Sequence, residues 1–153
     1  MKILFDTNPE LASLWYLIYS YIFYPGLLTK ASYDNLRTHF QFKHPRLRIG
    51  FLSSDFCLHA VSLLTVELFE LLDRSRFEVY GFCWSREDGS ALRARVIAAM
   101  DTFVRIHALD DAAAARCIRD HEIDVLVDLQ GLTSGARPNI VRSEEHTSEL
   151  QSP

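Results

Sequence analysis

From Arg46 onward, short runs of consecutive apolar residues alternate with longer stretches in which apolar and polar positions mix, the rhythm of strands and helices. The first run predicts a strand at Leu47–Ser53. A helix follows at about Val61–Leu72, interrupted only by Ser62, Thr65, Glu67 and Glu70, so it is expected to be mostly buried. After the polar turn Asp73–Arg76, the alternating FEVYGFC predicts a second strand at Phe77–Cys83, and Arg86–Gly89 a loop. A second helix is expected at Ala91–Met100, a short third strand at Phe103–Ile106, and a third helix at about Asp111–Asp120, with acids in its first turn as the helix dipole favours. Val125–Leu129 is the continuous apolar run of a parallel strand covered on both faces. It ends in the polar, glycine-containing loop Gln130–Pro138.

Four β–α repeats in so short a span predict an α/β fold with a Rossmann-like, doubly wound parallel sheet. In the strand order 3-2-1-4, strands one and four are neighbours, and the topological switch point lies between them. The loops Ser53–His59 and Gln130–Arg137 then converge on one crevice, which is the expected ligand site. Its first loop breaks the strand at Ser53–Ser54–Asp55 and delivers His59 just before a helix, whose N-terminal N–H groups suit a phosphate. A plainer reading stays open: Asp55 caps the turn and His59 packs half-buried. Asp128, at the end of strand four, is either a site carboxylate or a hydrogen-bonded residue where strand meets loop. Arg137 is either an anion ligand or a solvated loop residue.

The two ends read differently. Asp6–Glu10 resembles a helix start, and LASLWYLIYSYIFY (Leu11–Tyr24) is apolar nearly all round up to Pro25–Gly26. That run is shorter than the roughly 20 residues a membrane span needs, and acids precede it, so a packed helix is expected rather than a membrane role or a secretory signal. Residues 1–45 are taken as a helical segment and linker, and residues 46–141 as the Rossmann-like domain. Residues 142–153, RSEEHTSELQSP, look like the in-frame translation of a sequencing-library adapter and are expected to be non-native, or else a disordered polar tail.

Composition narrows the classes. The 153 residues are 48% hydrophobic and 24% charged, with a net charge of −4, so no basic face invites nucleic acid. Cys57, Cys83 and Cys117 are odd in number and widely spaced, with no zinc-site pattern; a reduced, cytoplasmic chain without a structural metal is expected. Gly50 lacks the partner glycines of a dinucleotide fingerprint, and no phosphate loop, HExxH site or GxSxG elbow is present. His39, His44, His107 and His121 lack partners at ligand spacing and read as surface or cap residues.

Three stretches carry a resemblance: GFLSSDFCLH at Gly50–His59, the FEV…EDG stretch at Phe77–Gly89, and DLQGLTSGARP at Asp128–Pro138. Together they resemble the N-terminal part of the catalytic region of the protein O-GlcNAc transferase family, especially bacterial members that follow tetratricopeptide repeats. The resemblance implies one lobe of a two-lobed GT-B glycosyltransferase that moves N-acetylglucosamine from UDP-GlcNAc to Ser/Thr hydroxyls of proteins, with inversion and without a metal or other cofactor. It implies His59 as proton acceptor, and Ser54, Asp55, Gly131, Thr133, Gly135 and Arg137 as substrate-binding positions. The lobe that holds most donor contacts in the family lies beyond this sequence, so the fragment alone is expected to be inactive. Two departures stand out: Ala60 where the family often has Pro, and Cys57–Leu58 before the histidine. The alternatives are a protein O-fucosyltransferase using GDP-fucose, which shares this lobe, and a non-catalytic, repeat-associated interaction module.

Overall fold

The computed structural model describes residues 30–40, 42–131 and 133–142. The expectations for residues 1–29, the apolar run Leu11–Tyr24 among them, and for the adapter-like residues 143–153 lie outside the described residues. The chain divides into two compact units with a boundary between Pro45 and Arg46. In the first unit, helix α1 spans Lys30–Phe40, and the Arg37 guanidinium donates to the carbonyl oxygens of His44 and Pro45, fastening the segment that leaves the helix. Among the described residues, no helix is long and apolar enough to cross a membrane.

The second unit is the predicted α/β domain, with β1 Leu47–Ser53, α2 Ala60–Leu71, β2 Phe77–Cys83, α3 Ala91–Ala98, β3 Thr102–Arg105, α4 Asp111–Asp120 and β4 Val125–Asp128. All pairings are parallel and the order is β3-β2-β1-β4, as the repeat pattern predicts. In register, Ile49 faces Val79 on one side and Val125 on the other.

The alternation of side chains across the strands builds two cores. On one face Phe51 meets Phe69 of α2 with ring centroids 4.7 Å apart, and Phe56 meets Phe69 and Phe103 at 5.9 and 6.1 Å. On the other, Leu52, Tyr80 and Phe82 pack with Ile106, with Ala114, Ala115 and Ile118 of α4, and with Ile140 and Val141. Residues 138–142, from the last residue of the predicted loop onward, are helical.

One expectation fails. Helix α2 buries only Ser62, Val66 and Phe69, while Leu64 and Leu71 are 82% and 80% exposed. A helix lying on a sheet touches it along one stripe, and positions 62, 66 and 69 form that stripe. Leu63 also faces outward, whereas Leu68 is half-buried and Leu72, just past the helix, is buried. Smaller shifts also have causes. Helix α3 ends at Ala98 and β3 starts at Thr102 because Asp101 pairs with β2: its N–H donates to Val79 O at 2.9 Å and its Oδ2 accepts from Val79 N at 2.8 Å.

Candidate active site

All four strands point their carboxyl ends to the same edge, so the loops after β1, β2 and β4 gather there. The loop after β1 starts with a tight turn, the Ser53 hydroxyl accepting from Asp55 N at 2.9 Å. Ser54 then reaches across to the loop after β4, its N–H and hydroxyl both donating to Gln130 Oε1, at 3.0 and 2.6 Å. The amide of Gln130 is buried and fully used: its Nε2 donates to Thr133 Oγ1 at 2.8 Å and to Ser134 O at 3.0 Å. Asp128 takes the hydrogen-bonded role: its Oδ1 accepts from Gln130 N and Gly131 N at 2.8 and 3.3 Å, turning the chain at the strand end.

Gly131 and Gly135 have φ of 58° and 82°, the left-handed region where a side chain is strained. The Gly135 carbonyl accepts from Trp84 Nε1 at 3.0 Å, bringing the segment after β2 into the same site. Arg137 is held within the protein: Nε bonds Asp111 Oδ1 at 2.7 Å, Nη1 and Nη2 donate to Ile106 O and Leu109 O, and Cζ lies 5.9 Å from the Trp84 ring centre.

Between these loops opens a cavity of about 640 Å³ whose walls include Ser54, Asp55, Trp84, Arg86, Asp88 and Gly135. A space of this size suits a small organic ligand. Of the predicted site residues, Ser54, Asp55, Gly135 and Arg137 line it, whereas Thr133 and Gly131 are not part of the wall: Thr133 Oγ1 accepts from Gln130 Nε2, and Gly131 N donates to Asp128 Oδ1. His59 is outside the wall but follows Leu58, which is part of it. It is the N-cap of α2, with extended backbone (φ −145°, ψ 153°), and its Nδ1 accepts from Val61 N at 3.2 Å. The same Nδ1 lies 3.8 Å from Asp55 Oδ2, and the ring is about half exposed. Capping places the ring proton on Nε2; the other tautomer turns Nδ1–H toward Asp55 and leaves the Nε2 lone pair facing outward.

Hydrogen bonds from the Ser90 and Leu58 backbone N–H groups hold the Asp88 carboxyl down at about 2. Burial, followed by the charges of Asp88 and Asp55, pushes the Cys57 thiol up. The contribution of Trp84–Ser90 is the part that sequence reasoning missed. The signal was there: the polar run after a strand neighbouring β1 must emerge at the same sheet edge. Among the described residues, no three His, Cys, Asp or Glu side chains cluster as a metal site requires.

Comparison with known proteins accords with this geometry. The family model of glycosyl transferase family 41 matches residues 25–144. A probable UDP-N-acetylglucosamine–peptide N-acetylglucosaminyltransferase of Arabidopsis thaliana is 36% identical over 95 residues, covering 62% of this chain and 10% of that protein. The UDP-N-acetylglucosamine–peptide N-acetylglucosaminyltransferase of Caenorhabditis elegans is 36% identical over 96 residues, 62% of this chain and 8% of its own. The chain thus spans a tenth or less of the length of these curated relatives. A solved structure of a Thermobaculum terrenum O-GlcNAc transferase mutant superposes with a TM-score of 0.53 at 36% identity, over 57% of this chain and 16% of that one. With the family match extending over most of its length, this chain belongs to glycosyl transferase family 41.

Proposed function

We propose that these residues form part of a glycosyltransferase that moves N-acetylglucosamine from UDP-GlcNAc to Ser or Thr hydroxyls of proteins, with inversion at the anomeric carbon. The observation that carries this reading is the approach of His59 Nδ1 to within 3.8 Å of Asp55 Oδ2, beside a cavity built by the loops after β1, β2 and β4. The acceptor oxygen bonds to the anomeric carbon as the bond to the diphosphate breaks, and His59, in the tautomer that gives up the cap and turns Nδ1–H toward Asp55, takes the hydroxyl proton at Nε2. Asp55 steadies the resulting imidazolium from the Nδ1 side. A positioned base of this kind contributes roughly 10²–10⁴-fold. Ser54, Gly131, Thr133, Gly135 and Arg137 shape the pocket for sugar and acceptor. The diphosphate and most donor contacts belong to a second lobe, so residues 1–153 alone are inactive in this reading. The free thiols Cys57, Cys83 and Cys117 suit a reducing, cytoplasmic location.

The test uses the full-length transferase, UDP-GlcNAc and a Ser/Thr peptide, with peptide mass as readout. His59→Asn keeps a good helix cap and removes the base, so it should lose turnover as severely as His59→Ala. Wild-type turnover in either variant removes the base assignment. Product from GDP-fucose instead of UDP-GlcNAc reassigns the donor, and no product from either favours a binding module.

A further inference from the structure

The turn that ends in His59 is held residue by residue from outside. The Ser62 hydroxyl donates to Asp55 O at 2.7 Å, from within α2. The next two contacts come from the N-terminal end of α3. Arg93 Nη1 donates to Phe56 O at 2.5 Å and to the Ser85 hydroxyl at 2.6 Å, and Asp88 Oδ2 accepts from Leu58 N at 2.5 Å. The two grips are themselves linked: Asp88 Oδ1 accepts from Ser90 N and Oγ, and the Ser90 hydroxyl caps α3 by accepting from Arg93 N at 3.1 Å.

Arg93 is 5% exposed, and among the described residues no carboxylate lies within ion-pair distance of it. Its Cζ lies 5.6 Å from the centre of the Phe103 ring. A buried, unpaired guanidinium is an expensive way to fill a core, since an apolar side chain of similar volume serves packing at least as well. What Arg93 adds is a rigid donor aimed at two oxygens in different loops.

We propose that Asp88 and Arg93 are positioning residues, a two-point clamp from the β2–α3 segment that fixes the turn Phe56–Leu58 and so the place of His59 beside the cavity. Neither touches the reacting atoms in this role; they act through the turn. The catalytic consequence rests on the transferase reading above, whereas the mechanical claim does not. Misplacing a reacting group by about 1 Å can cost 10²-fold, which sets the scale of the expected effect.

The experiment pairs two readouts in the full-length protein. Amide hydrogen exchange should show protection of Leu58 lost in Asp88→Ala, with Ala113 at the α4 cap as an unchanged internal reference. In the transferase assay, Arg93→Lys, which keeps the charge but not the reach and planar placement of Nη1, should lower kcat ten- to a hundredfold while the donor KM stays within twofold. Asp88→Asn, able to satisfy one of the two N–H groups, should fall between wild type and Asp88→Ala in both readouts. Unchanged exchange at Leu58 in Asp88→Ala overturns the clamp. A fall in kcat with Leu58 still protected overturns it as well, by giving Asp88 a role of its own. A wild-type protein without transferase activity defeats the functional reading alone, and the exchange data still decide the clamp.

Discussion

The Ser54 hydroxyl stands 2.6 Å from Oε1 of Gln130, a contact between residues 76 positions apart in the chain. It is the bolt between the loops after β1 and β4. Both Gln130 Oε1 bonds run to Ser54 and both Nε2 bonds run to its own loop, so one side chain fixes the two walls at once. Replacing it by Ala leaves the part-buried Ser54 N–H and hydroxyl without their partner, and a polar group stranded away from water costs about 1–3 kcal/mol. Gln130→Ala is expected to destabilise the fold by roughly 2–4 kcal/mol. Ser54→Ala, which leaves the backbone N–H bond in place, should cost about 1 kcal/mol. Urea unfolding of both variants and the double mutant checks this; additive losses would show that the two side chains are not coupled.

Ala60 occupies the first position of α2, directly after the extended His59. That backbone is what a residue before proline adopts, and the first helical position is where proline fits best. Ala60→Pro should therefore be neutral or raise stability by about 0.4–1 kcal/mol. Thermal melts test it, and a clear loss would mean that the helix entry here differs from the family's usual proline form.

Gly81 sits mid-strand in β2, where an added Cβ would stand 2.1 Å from Met100 Sδ and 3.0 Å from Phe103 Cδ2. Gly81→Ala should cost about 1–3 kcal/mol by overpacking, softened as far as Met100 can swing aside. Denaturant midpoints are the measure, and a stability equal to wild type would contradict this packing.

Cys57 has its thiol pushed above the ordinary value of 9.0 by burial and by the carboxylates of Asp88 and Asp55. It should be a protonated, slow thiol at neutral pH, with the iodoacetamide rate still climbing with pH at pH 9 instead of levelling off. Asp88→Asn, removing one of the negative charges, should move that rise toward lower pH. Residue-resolved alkylation by mass spectrometry reads both, and an inflection below pH 9 in the wild type would count against the assigned environment.

How far the residues spoke for themselves varies with the element. Strands β1 and β2 and helix α4 fall at their predicted bounds, because an apolar run ending in Ser, Asp or Cys leaves little choice of boundary. The parallel order followed from the β–α rhythm alone, and it nominated the Ser54 and Gln130 loops that the structure joins. Burial of α2 was misread, since a leucine count says that a helix is apolar, not how many faces find partners. The wall supplied by Trp84–Ser90 was overlooked although its place after a strand neighbouring β1 marked it; its partners were not legible, because Asp88 and the Trp84 N–H bond Leu58 and Gly135, both distant in sequence.

Parallel pairing also dictates an order of assembly. β1 can pair with β2 as soon as the chain has passed Cys83, but its other edge waits for Val125–Asp128. During synthesis, the Phe56–Leu58 turn and its α3 clamp can form while the β4 side of the cavity is still unmade. The cavity closes last, when Gln130 arrives to meet Ser54. Pairings this remote are slow to find, so folding of this domain should be limited by the docking of β4. Until then, the backbone of β1 presents one open row of hydrogen-bonding groups to any strand that passes.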